Sequence, residues 1–454
     1  MLKKTGRIGV NLFALILVAS VLVLAAGCKK GPNLKGASIK IARWSNAYNV
    51  NTYQPQSESE ERELEFRKKA LADNDFYMEA VQLSGWDDYF QIAISNILSG
   101  NKDYSIYVMQ ADWAMTLYKQ GLLAPLNQGS VRLTNREPVA GQKAAWNKMM
   151  EDLFTINGKQ YGITPGIGGF SWQGNFIFFN KRLFREAGLD ADLPFTLQRE
   201  GNWTWDEFLK VCRATTRDIN NDGITDIYAL PGDDAREAMY GFVYGNNGNF
   251  VIMDSNGKYQ NATNSPEFIE ALAFYQQLIN EGLMKPRYEN AQWGWNFAEF
   301  FDGRTAMVFD PEWRQGQLPE MEDDYGIVLA PKGPRAKEYR TSLQEVVFVI
   351  PSFFTQDEVD VILRAFDIWE TPMDTDWRQG YYPFHRDRRS VDETMALQKK
   401  PGIAVYRDLA IIPGYPIDPM LSNDYFWENG TPSQIVESWA PWIQGALDDA
   451  NMDW

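Results

Sequence analysis

Three segments of the sequence place a tryptophan beside carboxylate, amide or hydroxyl side chains. They are Trp44-Ser45-Asn46, Trp86-Asp87 and Asp112-Trp113. A sugar ring has an apolar C–H face flanked by hydroxyl groups, so an aromatic surface with hydrogen-bonding groups at its edge suits it. Asp87 and Asp112 could each accept two hydroxyl protons, or they could instead cap the helices that follow them. The three segments therefore indicate a site for a polyhydroxylated ligand.

The sequence contains 16 tryptophans and 21 tyrosines. We expect about two thirds of these rings to lie in the core, Trp205 and Trp369 among them, because both fall in predicted amphipathic helices. Rings in polar or glycine-rich segments are better candidates for contact with a ligand. Three further candidates of this kind are Trp172, Trp293 and Trp313.

The segment DINNDGITD, residues 218–226, has the spacing of the first half of an EF-hand loop. Its oxygen donors would be the side chains of Asp218, Asn220, Asp222 and Asp226 and the carbonyl of Ile224. The twelfth position of the loop is Ala229, so the bidentate glutamate of an EF-hand is absent. A structural calcium ion and a set of Asx turns around Gly223 are both compatible with this segment.

Several kinds of chemistry have no support in the sequence. His385 is the only histidine, so a Ser-His-Asp triad or a zinc site built from histidines is not expected. Neither of the glycine-rich phosphate-binding patterns is present, which argues against nucleotide binding. The net charge of −16 argues against binding to a nucleic-acid backbone. We therefore expect no cofactor for function, apart from the structural calcium considered above.

Residues 1–27 have the order of an export signal, in which Lys3, Lys4 and Arg7 precede an apolar run that ends in small residues. The run LAAGC resembles the bacterial lipobox, whose cysteine becomes the lipidated first residue of the mature protein. Cys28 is thus the expected lipid anchor, and residues 28–37 form a tether. The alternative is a permanent membrane helix at residues 8–27. Cys212 then has no disulfide partner and is expected to be buried.

Short β-branched runs alternate with helical patterns along the first part of the chain. Strands are expected at residues 38–44, 76–83 and 104–110, and helices at residues 57–72 and 89–100. This alternation is typical of a mostly parallel, doubly wound α/β sheet, in which ligands bind outside the carboxyl ends of the strands. The roughly 420 residues after the signal exceed what one core usually holds, so two lobes are expected.

The later part of the chain carries clear helix signals. Thr204 and Glu207 predict a capping box at the start of a helix over residues 204–216. Ser265, followed by Pro266 and closed by Gly282, predicts a second helix over residues 265–283. A buried strand is expected at residues 345–351, followed by a helix at residues 357–370.

The order of several segments resembles the extracellular solute-binding proteins of ABC importers, the family that includes maltose-binding protein. These segments are GKQYGITPG, FFNKRLFREAGL, WTWDEFLKVCRATTRDINNDGITDIYAL, AEFFDGRTAMVFDPEWR and YGIVLAPKGP. The resemblance covers most of residues 38–380. It implies a two-lobed periplasmic-binding-protein fold in which doubly wound mixed sheets are joined by a hinge and the ligand cleft lies between the lobes.

The resemblance also implies lobe boundaries and site residues. The first lobe would comprise residues 38–165 and 341–385, and the second lobe residues 166–340 and 386–454. In the resembled family, the segment after the GRTAM-type strand carries an aromatic ring that stacks on the sugar, and Trp313 lies in that segment here. Arg314 could bind sugar hydroxyls or pair with a uronate carboxylate. Further candidates for ligand contact are Asn175, Tyr244 and Glu345.

The sequence thus predicts a monomeric, lipid-anchored, extracytoplasmic protein that captures a carbohydrate, in particular an oligosaccharide, and delivers it to a membrane permease. It is not expected to be an enzyme. A secreted glycoside hydrolase or polysaccharide lyase remains an alternative, because the required pair of carboxylates could be present among 60 acidic residues. A binding protein for peptides or other solutes is the second alternative, because one scaffold can host different ligands.

Overall fold

The computed structural model describes residues 31–55, 58–131, 148–165, 174–232, 235–344, 346–371, 376–421 and 430–452. The predicted signal, Cys28, Trp172 and Glu345 lie outside these residues, so the corresponding predictions stay predictions. Among the described residues, no helix combines the length and the apolar content that crossing a bilayer requires.

Four strands form the first sheet. They are β1 (Ala37–Arg43), β2 (Phe76–Gln82), β3 (Ile106–Gln110) and β14 (Val346–Val349), numbered in chain order. Their order in the sheet is β14-β3-β1-β2. β2 and β3 run parallel to β1, whereas β14 runs antiparallel to β3. The β-branched runs of the sequence thus form the predicted parallel strands, and their carboxyl ends share one edge of the sheet.

The helices of this unit follow the strands as the sequence predicts. They are α1 (Glu58–Asn74), α2 (Trp86–Leu98), α3 (Ala111–Lys119) and α11 (Gln356–Trp369). α11 begins with a complete capping box formed by Thr355 and Glu358. Its Phe366 packs against Phe348 of β14, with ring centroids 5.0 Å apart. Trp369, at the end of α11, is buried as predicted.

The second sheet has three strands: β6 (Asn175–Asn180), β11 (Met307–Pro311) and β12 (Tyr325–Val328). β6 lies in the centre and runs antiparallel to both neighbours. Every residue of the three strands is buried, which is why the run NFIFF shows no alternation of apolar and polar residues. The helices around it are α5 (Lys181–Glu186), α6 (Leu193–Glu200), α7 (Trp205–Thr215), α8 (Ala235–Gly245), α9 (Pro266–Asn280) and α10 (Trp295–Phe301).

Short strands and the C-terminal helices complete the described chain. The strands are β4 (Thr155–Ile156), β5 (Lys159–Gln160), β7 (Leu230–Pro231), β8 (Val251–Met253), β9 (Tyr259–Asn261), β10 (Met284–Lys285), β13 (Thr341–Leu343) and β15 (Ala404–Tyr406). The helices are α4 (Lys148–Leu153), α12 (Ala396–Gln398), α13 (Ile417–Met420) and α14 (Pro432–Asn451), with 3-10 turns at Glu312–Glu320, Trp377–Gly380 and Tyr382–Phe384 and a π-helical stretch at Ser390–Met395.

The two predicted helix starts differ in their capping. Ser265 caps α9 as expected, because its side chain accepts a hydrogen bond from the Phe268 N–H. The capping box predicted at Thr204 is wrong. Thr204 is the N-cap residue of α7, but its side chain makes no capping hydrogen bond. Its extended backbone instead forms a bridge with Lys332, and this pairing fixes the start of the helix.

The parts of the chain that lead into β6 and β14 contact each other. Leu343, at the end of β13, forms an antiparallel bridge with Gly174, the residue before β6. The Thr341 hydroxyl donates to the Asn175 carbonyl at 2.6 Å. The lobe boundaries stay predictions, although β13 pairs with β15 and therefore contacts the part of the chain that we assigned to the second lobe.

Candidate functional site

Three tryptophans pack together at the carboxyl edge of the first sheet, each just after one of the parallel strands. Trp44, Trp86 and Trp113 are called here the first tryptophan cluster. The ring centroids are 5.2 Å apart for Trp44 and Trp86, 6.0 Å for Trp44 and Trp113, and 4.9 Å for Trp86 and Trp113. Trp86 is 49% exposed, Ser45 is half-buried and Asn46 is exposed. The structure thus brings together the strand-end residues that the sequence singles out.

The first tryptophan cluster rests on two aromatic residues of α2. Phe90 stacks on Trp113 with centroids 5.2 Å apart, and Tyr89 lies 5.4 Å from Trp44. Tyr89 is fully buried, and its hydroxyl donates to the Ala42 carbonyl at 2.8 Å. Because this hydrogen bond ties the helix start to the strand end, the tryptophan rings form a preformed apolar surface.

Three carboxylates lie in the first turns of the helices that carry this cluster. Asp87 and Asp88 belong to α2 and Asp112 to α3. The capping role considered for Asp87 and Asp112 does not occur, because the N-cap residues are Gly85 and Gln110. A carboxylate in the first turn still favours the helix electrostatically. Burial raises the pKa of Asp112 to about 6, although the Trp113 N–H donates to its carboxylate and opposes this rise.

We expect ligand affinity to fall as the pH is lowered through the pKa of Asp112. The ionised carboxylate accepts hydroxyl protons at both oxygens, whereas the protonated form loses part of that capacity. Since this pKa is about 6, the dissociation constant should rise roughly tenfold between about pH 7.5 and pH 5. Titration calorimetry at several pH values measures this effect. Asp112→Asn should bind more weakly with a flat pH profile, and a flat profile for the unmodified protein would remove Asp112 from the site.

Two further tryptophans form a parallel pair. Trp293 and Trp313, called here the second tryptophan pair, have ring centroids 5.9 Å apart and ring planes within 5° of each other. Trp293 is 76% exposed and Trp313 is 37% exposed. The guanidinium carbon of Arg314 lies 4.6 Å from the Trp293 centroid and 4.4 Å from the Trp313 centroid. The pair therefore presents apolar ring surface to solvent while one cation holds both rings.

A buried carboxylate fixes Arg314 in this position. The Arg314 Nε donates to Asp310 Oδ1 at 3.2 Å, and the two residues are 5% and 3% exposed. The Asn296 amide donates to the other Asp310 oxygen at 3.5 Å. Phe297 lies 5.2 Å from the guanidinium carbon and adds a third aromatic ring. The Nε of the guanidinium is thus bound to Asp310, and the group also contacts three aromatic rings.

Each tryptophan set follows a strand whose last residue pairs with the first residue of a neighbouring strand. In the first sheet, Gln110 pairs with Val346 at the start of β14, directly before the residues that carry Trp113. In the second sheet, Pro311 pairs with Asn175 at the start of β6, directly before the residues that carry Trp313. Gly174 and Leu343 bridge each other and stand one and three residues before the starts of β6 and β14, so each tryptophan set lies near a strand start that follows this bridge.

Asn175 and Tyr244 do not present their side chains at this surface. They are 2% and 1% exposed. The Asn175 amide donates to the Glu237 carbonyl at 2.6 Å, and the Tyr244 hydroxyl donates to Asp408 at 2.8 Å. Both side chains thus hold elements of the second unit together, and we leave them out of the candidate site.

The sequence analysis missed a buried polar network next to the second tryptophan pair. Glu312 is 4% exposed and accepts hydrogen bonds from the Gln315 amide at 2.6 Å and from the Tyr381 hydroxyl. The Gln315 side-chain oxygen lies 2.9 Å from Nε2 of His385. Burial raises the pKa of Glu312 to about 8 and lowers that of His385 to about 4. The one feature of the sequence that could have indicated this network is the glutamate directly before Trp313.

The predicted calcium loop is satisfied largely by its own backbone. Asp218 and Asp226 each accept a hydrogen bond from an N–H group inside the loop, at 2.8 and 2.7 Å. Asn220 and Asp222 each accept from the N–H two residues later, as in Asx turns. Among the described residues, no three His, Cys, Asp or Glu side chains form a group that could hold a metal ion. Within the same residues, Asp218 Oδ1 is buried without a hydrogen-bond partner.

A family model described as bacterial extracellular solute-binding protein matches residues 65–358. No curated protein sequence matches the chain. Solved structures with a similar fold include the ABC substrate-binding protein from Listeria monocytogenes in complex with cycloalternan. Its sequence is 17% identical, the match covers 92% of this chain and 98% of that one, and the TM-score is 0.60.

Two more solved structures are similar over nearly the whole chain. The sugar-binding protein MalE from Xanthomonas citri is 15% identical, with 91% of this chain and 98% of that chain covered and a TM-score of 0.62. UgpB from Mycobacterium tuberculosis, in complex with glycerophosphocholine, is 16% identical, with 91% and 100% covered and a TM-score of 0.64. At these identities the comparisons establish a two-lobed, mixed α/β fold and leave the ligand open.

Proposed function

This chain belongs to the family of bacterial extracellular solute-binding proteins, and from that premise we propose that it captures a carbohydrate outside the cytoplasm for an ABC importer. The ligand is an oligosaccharide that lies between the lobes and contacts both tryptophan sets. Binding closes the lobes about the crossing segments, because the closed form gains contacts with the ligand that the open form lacks. The membrane permease then receives the ligand from the closed form.

The observation that carries this proposal is that each of the two sheets presents an aromatic surface at a strand end near the Gly174–Leu343 bridge. The first tryptophan cluster and the second tryptophan pair expose ring surface, with Trp86 at 49% and Trp293 at 76%. Clustered, exposed tryptophan rings are well suited to the apolar faces of sugar rings. Asp87 and Asp112 supply acceptors for hydroxyl groups at the edge of the first cluster.

The similar structures support a carbohydrate and also name an alternative. The Listeria monocytogenes protein is in complex with cycloalternan, and the Xanthomonas citri protein is a sugar-binding protein. The Mycobacterium tuberculosis protein is in complex with glycerophosphocholine, which shows that one fold serves both kinds of solute. The tryptophan sets of this chain favour the sugar.

The proposal includes an anchor at the membrane surface. Lipidated Cys28 would hold the folded part close to the permease at the outer face of the membrane. Because Leu34 is buried and β1 begins at Ala37, the tether would end before Leu34 and be shorter than the predicted residues 28–37. The protein works as a monomer, because one two-lobed chain encloses the whole cleft. Mass spectrometry of the membrane-extracted protein tests the anchor, since an acylated peptide that begins at Cys28 is the expected product.

A ligand panel tests the proposed function. The soluble form that begins at Lys29 would be titrated with mono-, di- and oligosaccharides, a peptide mixture and glycerophosphocholine, while tryptophan fluorescence and Tm are followed. A saturable change with one oligosaccharide class, without product on long incubation, is the expected result. Formation of a product would mean that the protein is a carbohydrate-active enzyme and not a binding protein. A response only to peptides or to glycerophosphocholine would overturn the carbohydrate ligand.

A structural calcium ion in the 218–226 loop is a separate part of the proposal. The buried, unpartnered Asp218 Oδ1 supports it, and Asn220, Asp222, Asp226 and the Ile224 carbonyl would supply the other oxygens. If calcium binds, about 1 mM calcium should raise the Tm by several degrees relative to EDTA, because an ion that binds only the folded state stabilises it. Asp218→Asn should abolish this rise. Equal Tm values in calcium and EDTA would mean that the loop binds no calcium and is held by its Asx turns alone.

A further inference from the structure

Glu312, directly before Trp313 in the sequence, is held in the interior by groups from other parts of the chain. It is 4% exposed. Its carboxylate accepts hydrogen bonds from the Gln315 amide at 2.6 Å and from the Tyr381 hydroxyl. Its backbone N–H donates to the Gly174 carbonyl at 2.8 Å. The residue that precedes the exposed ring is thus fixed both by its side chain and by its backbone.

Gln315 extends this network to the only histidine. Gln315 is 8% exposed, and its side-chain oxygen lies 2.9 Å from Nε2 of His385. Burial lowers the pKa of His385 to about 4, so the imidazole is neutral near pH 7, and the tautomer with the proton on Nε2 donates to this oxygen. Two side chains of the turn that carries Trp313 are therefore bonded to the segment 381–385.

The segment 381–385 lies in the chain between parts that pack on different sheets. Before it comes α11, which packs against the first sheet through Phe366. After it comes the π-helical stretch, whose Thr394 hydroxyl donates to the Ile327 carbonyl of β12, in the second sheet, at 2.7 Å. This segment is thus one of the connections between the two sheets.

Three consecutive residues at the start of the turn differ sharply in exposure. Trp313 is 37% exposed, whereas Glu312 and Arg314 are 4% and 5% exposed. The Arg314 Nε donates to Asp310, a residue of the preceding strand β11. The position of the Trp313 ring is therefore set by two buried neighbours, one bonded to that strand and the other to the connection between the sheets.

The surroundings of the Glu312 carboxyl group favour its protonated form at neutral pH. Burial raises its pKa to about 8, although the charge of Lys399 and the hydrogen bonds from Gln315 and Tyr381 oppose this rise. Burial also raises the pKa of the Tyr381 hydroxyl well above its usual value. Since His385 is already neutral, Glu312 is the member of this network that titrates between about pH 7 and pH 9. Its ionisation places a charge in the interior, which favours a rearrangement of the network.

From these contacts we infer that Glu312 is a positioning residue for ligand binding. In its protonated form it keeps the Trp313 ring in the orientation that stacks on a sugar, and it links this ring to a connection between the two sheets. Ionisation of Glu312 releases the ring, so binding weakens above neutral pH. The part that concerns ligand binding rests on the proposed function, whereas the control of the ring orientation does not.

Near-ultraviolet circular dichroism of the ligand-free protein tests the control of the ring orientation. The soluble form that begins at Lys29 would be followed between about pH 6.5 and pH 9, with far-ultraviolet dichroism to verify that it stays folded. Because the rings of Trp293 and Trp313 are parallel and their centroids lie 5.9 Å apart, their coupled signal depends on their mutual orientation. We expect this signal to change with a midpoint near the Glu312 pKa of about 8. Trp293→Ala should abolish the change.

Three variants assign this transition to Glu312. Glu312→Gln should remove the transition and keep the tryptophan signal of neutral pH, because the amide preserves a neutral hydrogen-bonding group. Tyr381→Phe should move the midpoint to higher pH, since the hydroxyl that stabilises the ionised carboxylate is gone. Asp408→Asn is the matched control and should keep the transition, because Asp408 also accepts from a tyrosine hydroxyl and burial raises its pKa to about 7. A transition that is absent from the unmodified protein, or that persists in Glu312→Gln, overturns the inference.

Ligand affinity gives the second measurement. The tightest oligosaccharide of the panel described above is the probe, and it is titrated calorimetrically at two pH values. In the unmodified protein the dissociation constant should rise about three- to tenfold between about pH 7 and pH 9, and in Glu312→Gln it should stay level. Asp112→Asn should retain this rise, because the pKa of Asp112 is about 6.

The outcomes separate this inference from the proposed function. A dissociation constant that stays level in the unmodified protein would overturn the positioning role of Glu312 and leave the carbohydrate receptor standing. Silence across the whole panel would overturn the carbohydrate receptor, and the dichroism of the ligand-free protein would still decide whether Glu312 controls the orientation of the Trp313 ring.

Discussion

Replacing Trp313 with alanine is expected to weaken binding of the carbohydrate by about 1–3 kcal/mol, which is roughly 5- to 150-fold in the dissociation constant. Trp313 is 37% exposed and its ring lies parallel to that of Trp293. Its ring therefore offers surface to a ligand and is not part of the buried core. Its loss removes one ring of the second tryptophan pair and frees the second from a stacking partner. Titration calorimetry with the ligand found in the panel measures the change.

The control for this variant is Trp442→Ala. Trp442 is 44% exposed and lies on α14, far from both tryptophan sets in the sequence. The variant therefore removes a ring of similar exposure that is not part of the candidate site. This variant should bind like the unmodified protein. Trp313→Ala should unfold at nearly the same temperature as the unmodified protein. An unchanged affinity would remove the second tryptophan pair from the site, and a large drop in Tm would mean that Trp313 holds the fold together.

The first tryptophan cluster could be predicted because its geometry is local. Each of its rings follows a strand within a few residues, and parallel strands bring their carboxyl ends to one edge. The sequence therefore places Trp44, Trp86 and Trp113 together without knowledge of any distant contact. The same reasoning identified Asp112 but assigned it a capping role as an alternative. The N-cap is instead Gln110, so the helix begins two residues earlier than that role requires.

The second unit was harder to predict because its contacts are long-range. Tyr244 lies on a helix that is buried on most sides, and its partner Asp408 is 164 residues away. A tyrosine hydroxyl in the sequence does not show whether it faces a cleft or a buried carboxylate. Likewise, the network of Glu312 depends on Tyr381 and His385, and the contact between Gln315 and His385 spans 70 residues of sequence. Trp313 was identified as a candidate for ligand contact from the order of segments in the resembled family. Secondary-structure propensity alone would not have identified it.

The unfolding free energy should fall by about 1–3 kcal/mol between about pH 6.5 and pH 8. Burial raises the pKa of Asp408 to about 7 and that of Glu312 to about 8. In the unfolded chain both carboxyls are already ionised above about pH 5. The folded state therefore binds more protons than the unfolded state in this window, and stability is lost as the pH rises through the two folded pKa values.

His385 offsets only a small part of this loss, and only below about pH 7, where the unfolded imidazole still binds a proton. Burial lowers its pKa to about 4, so above about pH 7 it is mostly neutral in the folded and the unfolded state alike. Urea unfolding at each pH measures the profile. Glu312→Gln should flatten it in part, because an amide keeps the hydrogen bond to Gln315 or Tyr381 without a charge to bury. A level or rising profile in the unmodified protein would mean that Glu312 and Asp408 are ionised when folded. Each buried carboxylate would then require a close positive partner, and Lys399 is the basic group whose charge acts on Glu312.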